Sequence, residues 1–235
     1  MSLPQLPLSL VPPRRMRFEN FVAGANGALV AMLRHGMNEG DWIYLSGPSG
    51  SGKSHLAHAL NAEWAGRGRR VAFIPCTDPN ARALLAGVRA GADSGAIVED
   101  VECLAGQADA ERALFNALNQ WRAARSQVLL TGSGADGFAL PDLVSRISQT
   151  ARLTLQPLDD AGLEELIGRL VDDYRVVPGR GLAEYLLRHG PRAAGRLTGL
   201  FERMSRRAHA ERRVVSVPLA RECLEELRAG RLPGQ

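Results

Sequence analysis

The octapeptide Gly47-Pro48-Ser49-Gly50-Ser51-Gly52-Lys53-Ser54 constrains the fold of this chain more than any other stretch. It fills every fixed position of the phosphate-binding loop pattern GxxxxGK[ST]. The glycines free the backbone to turn amide groups toward phosphate oxygens. Lys53 supplies a compact charge, and the Ser54 hydroxyl can ligate Mg²⁺. Such a loop needs a strand to deliver it and a helix whose positive end it opens. Both flanks fit: Trp42-Ile43-Tyr44-Leu45-Ser46 is a short β-prone apolar run, and residues 55–64 read as a helix. A purine nucleoside triphosphate or diphosphate is the ligand this arrangement suits.

Further strands are expected at 70–75, 95–100 and 127–131, with a helix over 110–124 that places Leu114, Phe115, Leu118 and Trp121 at helical spacing. Strands alternating with helices imply a parallel sheet. After Leu155 the pattern turns wholly helical. Asp159 or Asp160 can cap a helix running to about Tyr174. More helices are expected at 181–188, 191–212 and 218–228, the last two opening on proline, which a first turn tolerates. The expected organisation is therefore α/β: a proline-rich extended tail (1–13), a parallel-sheet base (14–155) and a small all-helical lid (156–235).

The 235 residues, 45% hydrophobic and 23% charged, suffice for a packed α/β domain with a satellite. No run of about 18 apolar residues and no signal-peptide pattern occurs, so a cytoplasmic protein is expected. Cys76, Cys103 and Cys223 lack CxxC spacing; they read as buried thiols, neither a zinc site nor a disulfide frame. A net charge of +4 permits contact with nucleic acid without requiring it. Among 29 basic residues the only lysine is Lys53.

Glu99 and Asp100 close an apolar strand some 45 residues after the loop. In phosphate-loop proteins an acid there joins the Mg²⁺ shell and a second orients attacking water, which assigns Glu99 to the metal and Asp100 to catalysis. The order inverts the common Asp-Glu. The alternative is a solvated strand end. On the later helical stretch, arginines 192, 196, 203 and 207 adjoin an apolar stripe of Leu197, Leu200, Phe201, Met204 and Ala208. These arginines read either as a solvated face or, at Arg192 or Arg196, as phosphate sensors. His189 and His209 read as surface residues. In the tail, Gln5-Leu6-Pro7-Leu8-Ser9-Leu10 spaces leucines at every second position, as in a peptide that docks elsewhere.

Several segments together resemble a known family. Residues 17–26, Arg-Phe-Glu-Asn-Phe-Val-Ala-Gly-Ala-Asn, look like the adenine-side box of the DnaA-related AAA+ family. Gly52-Lys53-Ser54-His55-Leu56 is similar to its loop and helix start. Val101-Glu102-Cys103-Leu104-Ala105-Gly106 is similar to the stretch after its Walker B acid, and Leu140-Pro141-Asp142-Leu143-Val144-Ser145-Arg146 to the segment carrying its arginine finger. The chain is too short for the interaction and helix-turn-helix domains of the initiator itself. With its QLxLxL-like tail it resembles the shorter Hda-type branch, the regulatory inactivators of DnaA.

The resemblance implies ADP or ATP with Mg²⁺ as cofactors, Phe21, Val22, Asn26 and His55 near the nucleotide, and Arg146 as a finger acting in trans. It implies clamp binding through Gln5, Leu6, Leu8 and Leu10. The partners it implies are the DNA polymerase sliding clamp, DnaA and DNA reached through the clamp, with a homo-oligomer as a further option. It implies stimulation of hydrolysis of DnaA-bound ATP, with weak or no hydrolysis by the chain itself. Two departures stand out: Gly132-Ser133 follows Thr131 where the family has a polar sensor, and Gly195 aligns with its lid arginine. An autonomous ATPase such as a helicase loader, or more remotely a small-molecule kinase, are the rival readings.

Overall fold

The described residues of the computed structural model are 15–91, 94–134 and 137–229; the tail with Gln5, Leu6, Leu8 and Leu10 lies outside them. In chain order the elements of the first unit are α1 (Gly27–Ala31), β1 (Trp42–Ser46), α2 (Lys53–Gly66), β2 (Arg70–Pro75), α3 (Ala81–Ala86), β3 (Ser94–Glu99), α4 (Ala108–Ala123), β4 (Gln127–Gly132), α5 (Pro141–Ser148) and β5 (Ala151–Thr154). The strands form one parallel sheet in the order β2-β3-β4-β1-β5.

Helices cover both faces of the sheet, so its central strands carry near-continuous apolar side chains. Ile43, Leu45, Ile97 and Leu129 pack against Leu56, Leu60 and Trp64 of α2. Their alternates Tyr44, Ala96, Val98, Val128 and Leu130 pack with Leu114, Leu118 and Trp121 of α4 and with Leu143 and Ile147 of α5. Loop ends gather at the carboxyl edge of β1, β3 and β4, where ligands of open α/β sheets bind.

The second unit holds α6 (Asp160–Asp173), α7 (Leu182–His189), α8 (Ala194–Ala210) and α9 (Val217–Arg228). The Asp159 side chain accepts from the Gly162 N–H at 2.8 Å and caps α6. Leu163, Leu166, Leu170, Leu197, Phe201, Met204 and Leu219 are buried. Arg207 ties α8 to α9 through Glu222 and Glu226, and Arg213, after the end of α8, pairs with Glu211 and Glu222. The two units divide between Pro157 and Leu158. The Gln156 backbone is bonded to Asn26 within the first unit.

Three expectations need correction. β3 ends at Glu99, and Asp100 leaves the strand in a left-handed conformation, φ 52°. α8 begins at Ala194, so Pro191 and Arg192 precede it and Arg192 is not part of its basic face. Cys103 is exposed, whereas Cys76 and Cys223 are buried as expected. Among the described residues no helix is long and apolar enough to cross a membrane.

Candidate phosphate-binding site

The loop between β1 and α2 turns on glycines that no other residue can replace without strain. Gly52 has φ 108°, and a Cβ built on it would stand 2.7 Å from the Phe21 ring. Gly47, φ 154°, would place a Cβ 2.9 Å from Ser51 Oγ and 3.0 Å from Leu155 Cβ. Both glycines are thus packed closely against Phe21, Ser51 and Leu155, and the first amides of α2 have no carbonyl one turn earlier to bond. Ser51 Oγ is buried without a hydrogen-bond partner. Lys53 is only 8% exposed, and its Nζ donates to the carbonyls of Gly47 at 2.8 Å and Pro48 at 3.4 Å. An ammonium held by two neutral acceptors in a recess lined by amide dipoles suits a phosphate chain.

At the end of β3, Glu99 is 5% exposed and its Oε1 has no hydrogen-bond partner. Burial pushes its carboxyl up to about 7; the Ser54 hydroxyl opposes that rise and the Asp100 carboxylate adds to it. His58 sits with Nε2 3.8 Å from Glu99 Oε2 and stacks on Phe73, ring centroids 4.6 Å apart. Burial holds His58 below the usual histidine value, so it faces Glu99 mainly as a neutral ring. A buried, half-satisfied carboxylate beside the Ser54 hydroxyl is the donor set a hard divalent cation takes. Ser54 and Glu99 fit Mg²⁺ on that ground.

Asp100 donates its backbone N–H to Thr131 Oγ1 at 3.1 Å, which joins the turn after β3 to the end of β4. Burial raises its carboxyl, Glu102 adds to the rise and Lys53 counters it. Glu102 accepts the Ser133 N–H at 2.8 Å, and its Oε2 is buried and unpartnered. Ser133 itself is exposed.

Phe21 and His55 meet the loop from the N-terminal side, their rings edge-to-face at 5.2 Å, and His55 Nε2 lies 2.9 Å from the Arg17 carbonyl. Val22 is buried. Asn26 is 4% exposed; its amide nitrogen donates to the Ala23 and Gln156 carbonyls and its Oδ1 accepts from the Gln156 N–H. Arg146, half-buried on α5, donates from Nη2 to Asn119 Oδ1 at 2.9 Å. Arg192 pairs with Asp160 within the helical unit, and Arg196 is exposed in the first turn of α8.

The structure thus gathers Gly47, Gly52, Lys53, Ser54, Glu99 and Asp100 at one edge of the sheet, with Phe21 and His55 beside them. Sequence reasoning missed His58 and Glu102. His58 lies four residues after Ser54, one helical turn along the same face, and that spacing was the available signal. The Glu102–Ser133 bond joins residues 31 apart, and no local pattern announces it.

Comparison with solved structures follows the same geometry. Domain III of the Thermotoga maritima replication initiation protein DnaA superposes with a TM-score of 0.74 at 18% identity, covering 92% of this chain and 98% of that one. This is an AAA+ fold. AMPPCP-bound DnaA from Aquifex aeolicus matches at TM-score 0.61 and 21% identity, over 86% of this chain and 71% of that one. The Thermotoga maritima RuvB Holliday junction branch migration motor matches at TM-score 0.65 and 16% identity, over 90% and 72%. No protein-family model matches the chain. The loop after β1, Glu99 at the end of β3 and Asp100 just after it stand at the carboxyl edge of the sheet, where open α/β sheets bind ligands.

Proposed function

We propose that this chain is a nucleotide-binding regulator of replication initiation. Held on the DNA polymerase sliding clamp by its tail, it stimulates hydrolysis of DnaA-bound ATP and so inactivates DnaA. The observation that carries the nucleotide part is the buried Lys53 ammonium on the positive-φ glycine loop of Gly47 and Gly52, with the buried, half-satisfied carboxylate of Glu99 beside Ser54. Gly47 to Ser54 would bind the phosphates of ADP or ATP, and Ser54 with Glu99 would hold Mg²⁺. Bound there, the cation neutralises phosphate charge. Phe21, Val22 and His55 would border the base and sugar. Asn26 supports that wall through its bonds to Gln156, and Arg192 or Arg196 is proposed as the phosphate sensor.

The regulatory part draws support from the fold shared with DnaA and from the tail sequence. In this reading the chemistry takes place in the partner. Arg146 would enter the site of DnaA, where a permanently charged planar guanidinium can hold two oxygens as charge develops. A finger supplied in trans accelerates such hydrolysis by about 10³ to 10⁵ fold. Asp100, turned out of the strand and held by Thr131, is the carboxylate assigned to the chain's own slow hydrolysis.

The deciding experiment measures hydrolysis of DnaA-bound ATP with this protein, clamp and DNA, omitting each in turn. The reading requires loss of stimulation on every omission. The likeness to RuvB, a branch migration motor, favours as second reading an autonomous ATPase. Robust turnover by the protein alone would establish that reading instead.

A further inference from the structure

α4 acts as a template for α5. Glu111, 1% exposed, accepts three backbone N–H groups: Gly106 at 2.7 Å, Ala139 at 3.0 and 2.9 Å, and Leu140 at 2.8 Å. Leu140 immediately precedes Pro141, so the carboxylate fixes the point at which α5 starts. Two turns further along α4, Asn119 takes the guanidinium of Arg146. One turn beyond that, Arg122 donates to Gln149 at 2.8 Å, just past the end of α5. The three positions lie within about 80° on the α4 surface, so a single side of one helix holds the start, the middle and the end of the next. Leu143 and Ile147 lock the same contact through the core.

The chemistry of the middle tie differs from that of a usual arginine anchor. Asn119 offers a neutral oxygen, and among the described residues Arg146 has no carboxylate within ion-pair distance. A carboxylate would form a bidentate, charge-neutralising pair and compete with any incoming phosphate. An amide oxygen fixes one edge of the guanidinium and leaves the charge uncompensated.

We propose that Asn119 is the positioning residue for Arg146, a neutral cradle that aims the guanidinium at an anionic oxygen of a partner-bound nucleoside triphosphate without quenching it. This rests on the reading of Arg146 as a finger acting in trans. Glu111 sets the height of α5, Asn119 sets the direction of the side chain, and the partner's γ-phosphate takes the place of the missing counter-charge.

The test compares Arg146→Ala, Asn119→Asp and Asn119→Ser in the full chain with ATP-loaded DnaA, clamp and DNA. Asn119→Asp conserves shape, so a merely structural asparagine tolerates it. The proposal expects the maximal stimulated rate to fall about tenfold or more as the new carboxylate captures Arg146. Thermal midpoint, ADP affinity and the concentration giving half-maximal stimulation stay unchanged. Asn119→Ser, smaller but neutral, retains more stimulation than Asn119→Asp. If Arg146→Ala is inactive while Asn119→Asp stimulates within threefold of the parent, the cradle is overturned and the finger survives. A loss in Asn119→Ser as deep as in Asn119→Asp also overturns it, because neutrality is then not what matters. If Arg146→Ala stimulates like the parent, the finger reading fails and takes this inference with it.

Discussion

Lys53→Ala removes the only ammonium from the recess and leaves phosphate charge facing amide dipoles alone. We expect ADP and ATP binding to drop below detection in calorimetry; an unchanged affinity would show that nucleotide binds elsewhere or not at all. Glu99 invites a second substitution of opposite sign. Its folded carboxyl is pushed from 4.5 up to about 7, so stability is lost as pH rises from the lower value to the higher and the full cost of the buried charge is present above both. Glu99→Gln removes the buried charge. Without nucleotide or divalent cation, at about pH 8, its melting midpoint is expected to exceed the parent's by a few degrees. An equal or lower midpoint in a thermal scan would mean that Glu99 is satisfied in solution in a way its unpartnered Oε1 does not indicate. His58, facing Glu99 as a neutral ring, adds no charge that would spoil this comparison.

At the scale of elements, Glu111 gives the clearest pH signature. Burial alone would raise its carboxyl, but the N–H groups of Ala139, Leu140 and Gly106 outweigh that and hold it below the ordinary value. A depressed folded pKa contributes stability above the unfolded value and loses it as pH falls through the folded one. Glu111→Gln keeps the shape and loses acceptor capacity, so about 1–3 kcal/mol of stability should vanish at neutral pH. The difference should shrink in acid. Urea titrations at about pH 7 and about pH 3 check this, and a gap that widens in acid contradicts it. The same elements show what a sequence can reveal. β1, β4 and the α4 stripe were legible because burial on two faces gives a strand a continuous apolar run and burial on one helical face writes a period into the residues. β5 was not, because an edge strand of four mostly exposed residues carries no such period. Pro191 pulled the expected start of α8 three residues early, since a proline at a helix start looks the same whether it lies inside or just before the first turn. The phosphate loop was legible in full, its residues being consecutive. Glu111 and Asn119 were invisible, because what they hold lies 27 to 29 residues away.

For the whole molecule, nucleotide binding and clamp attachment are proposed as separable functions. Gln5→Ala combined with Leu8→Ala is expected to abolish clamp association in a pull-down while ADP affinity stays at the parent's value. Retained association would show that the tail peptide is not the docking element. The loop, both acids and Arg146 lie within one unit of the described chain, which ends at Pro157. The recessed lysine has one more consequence. Within these 235 residues the Nζ of Lys53 is the only side-chain amine, and it is 8% exposed. Acylating reagents therefore have one lysine to find, and mass spectrometry of that single peptide becomes a footprint of loop occupancy. Acetylation, or any conjugation that a cell directs to lysine, has the same single address, so such a tag and a bound phosphate compete for one nitrogen.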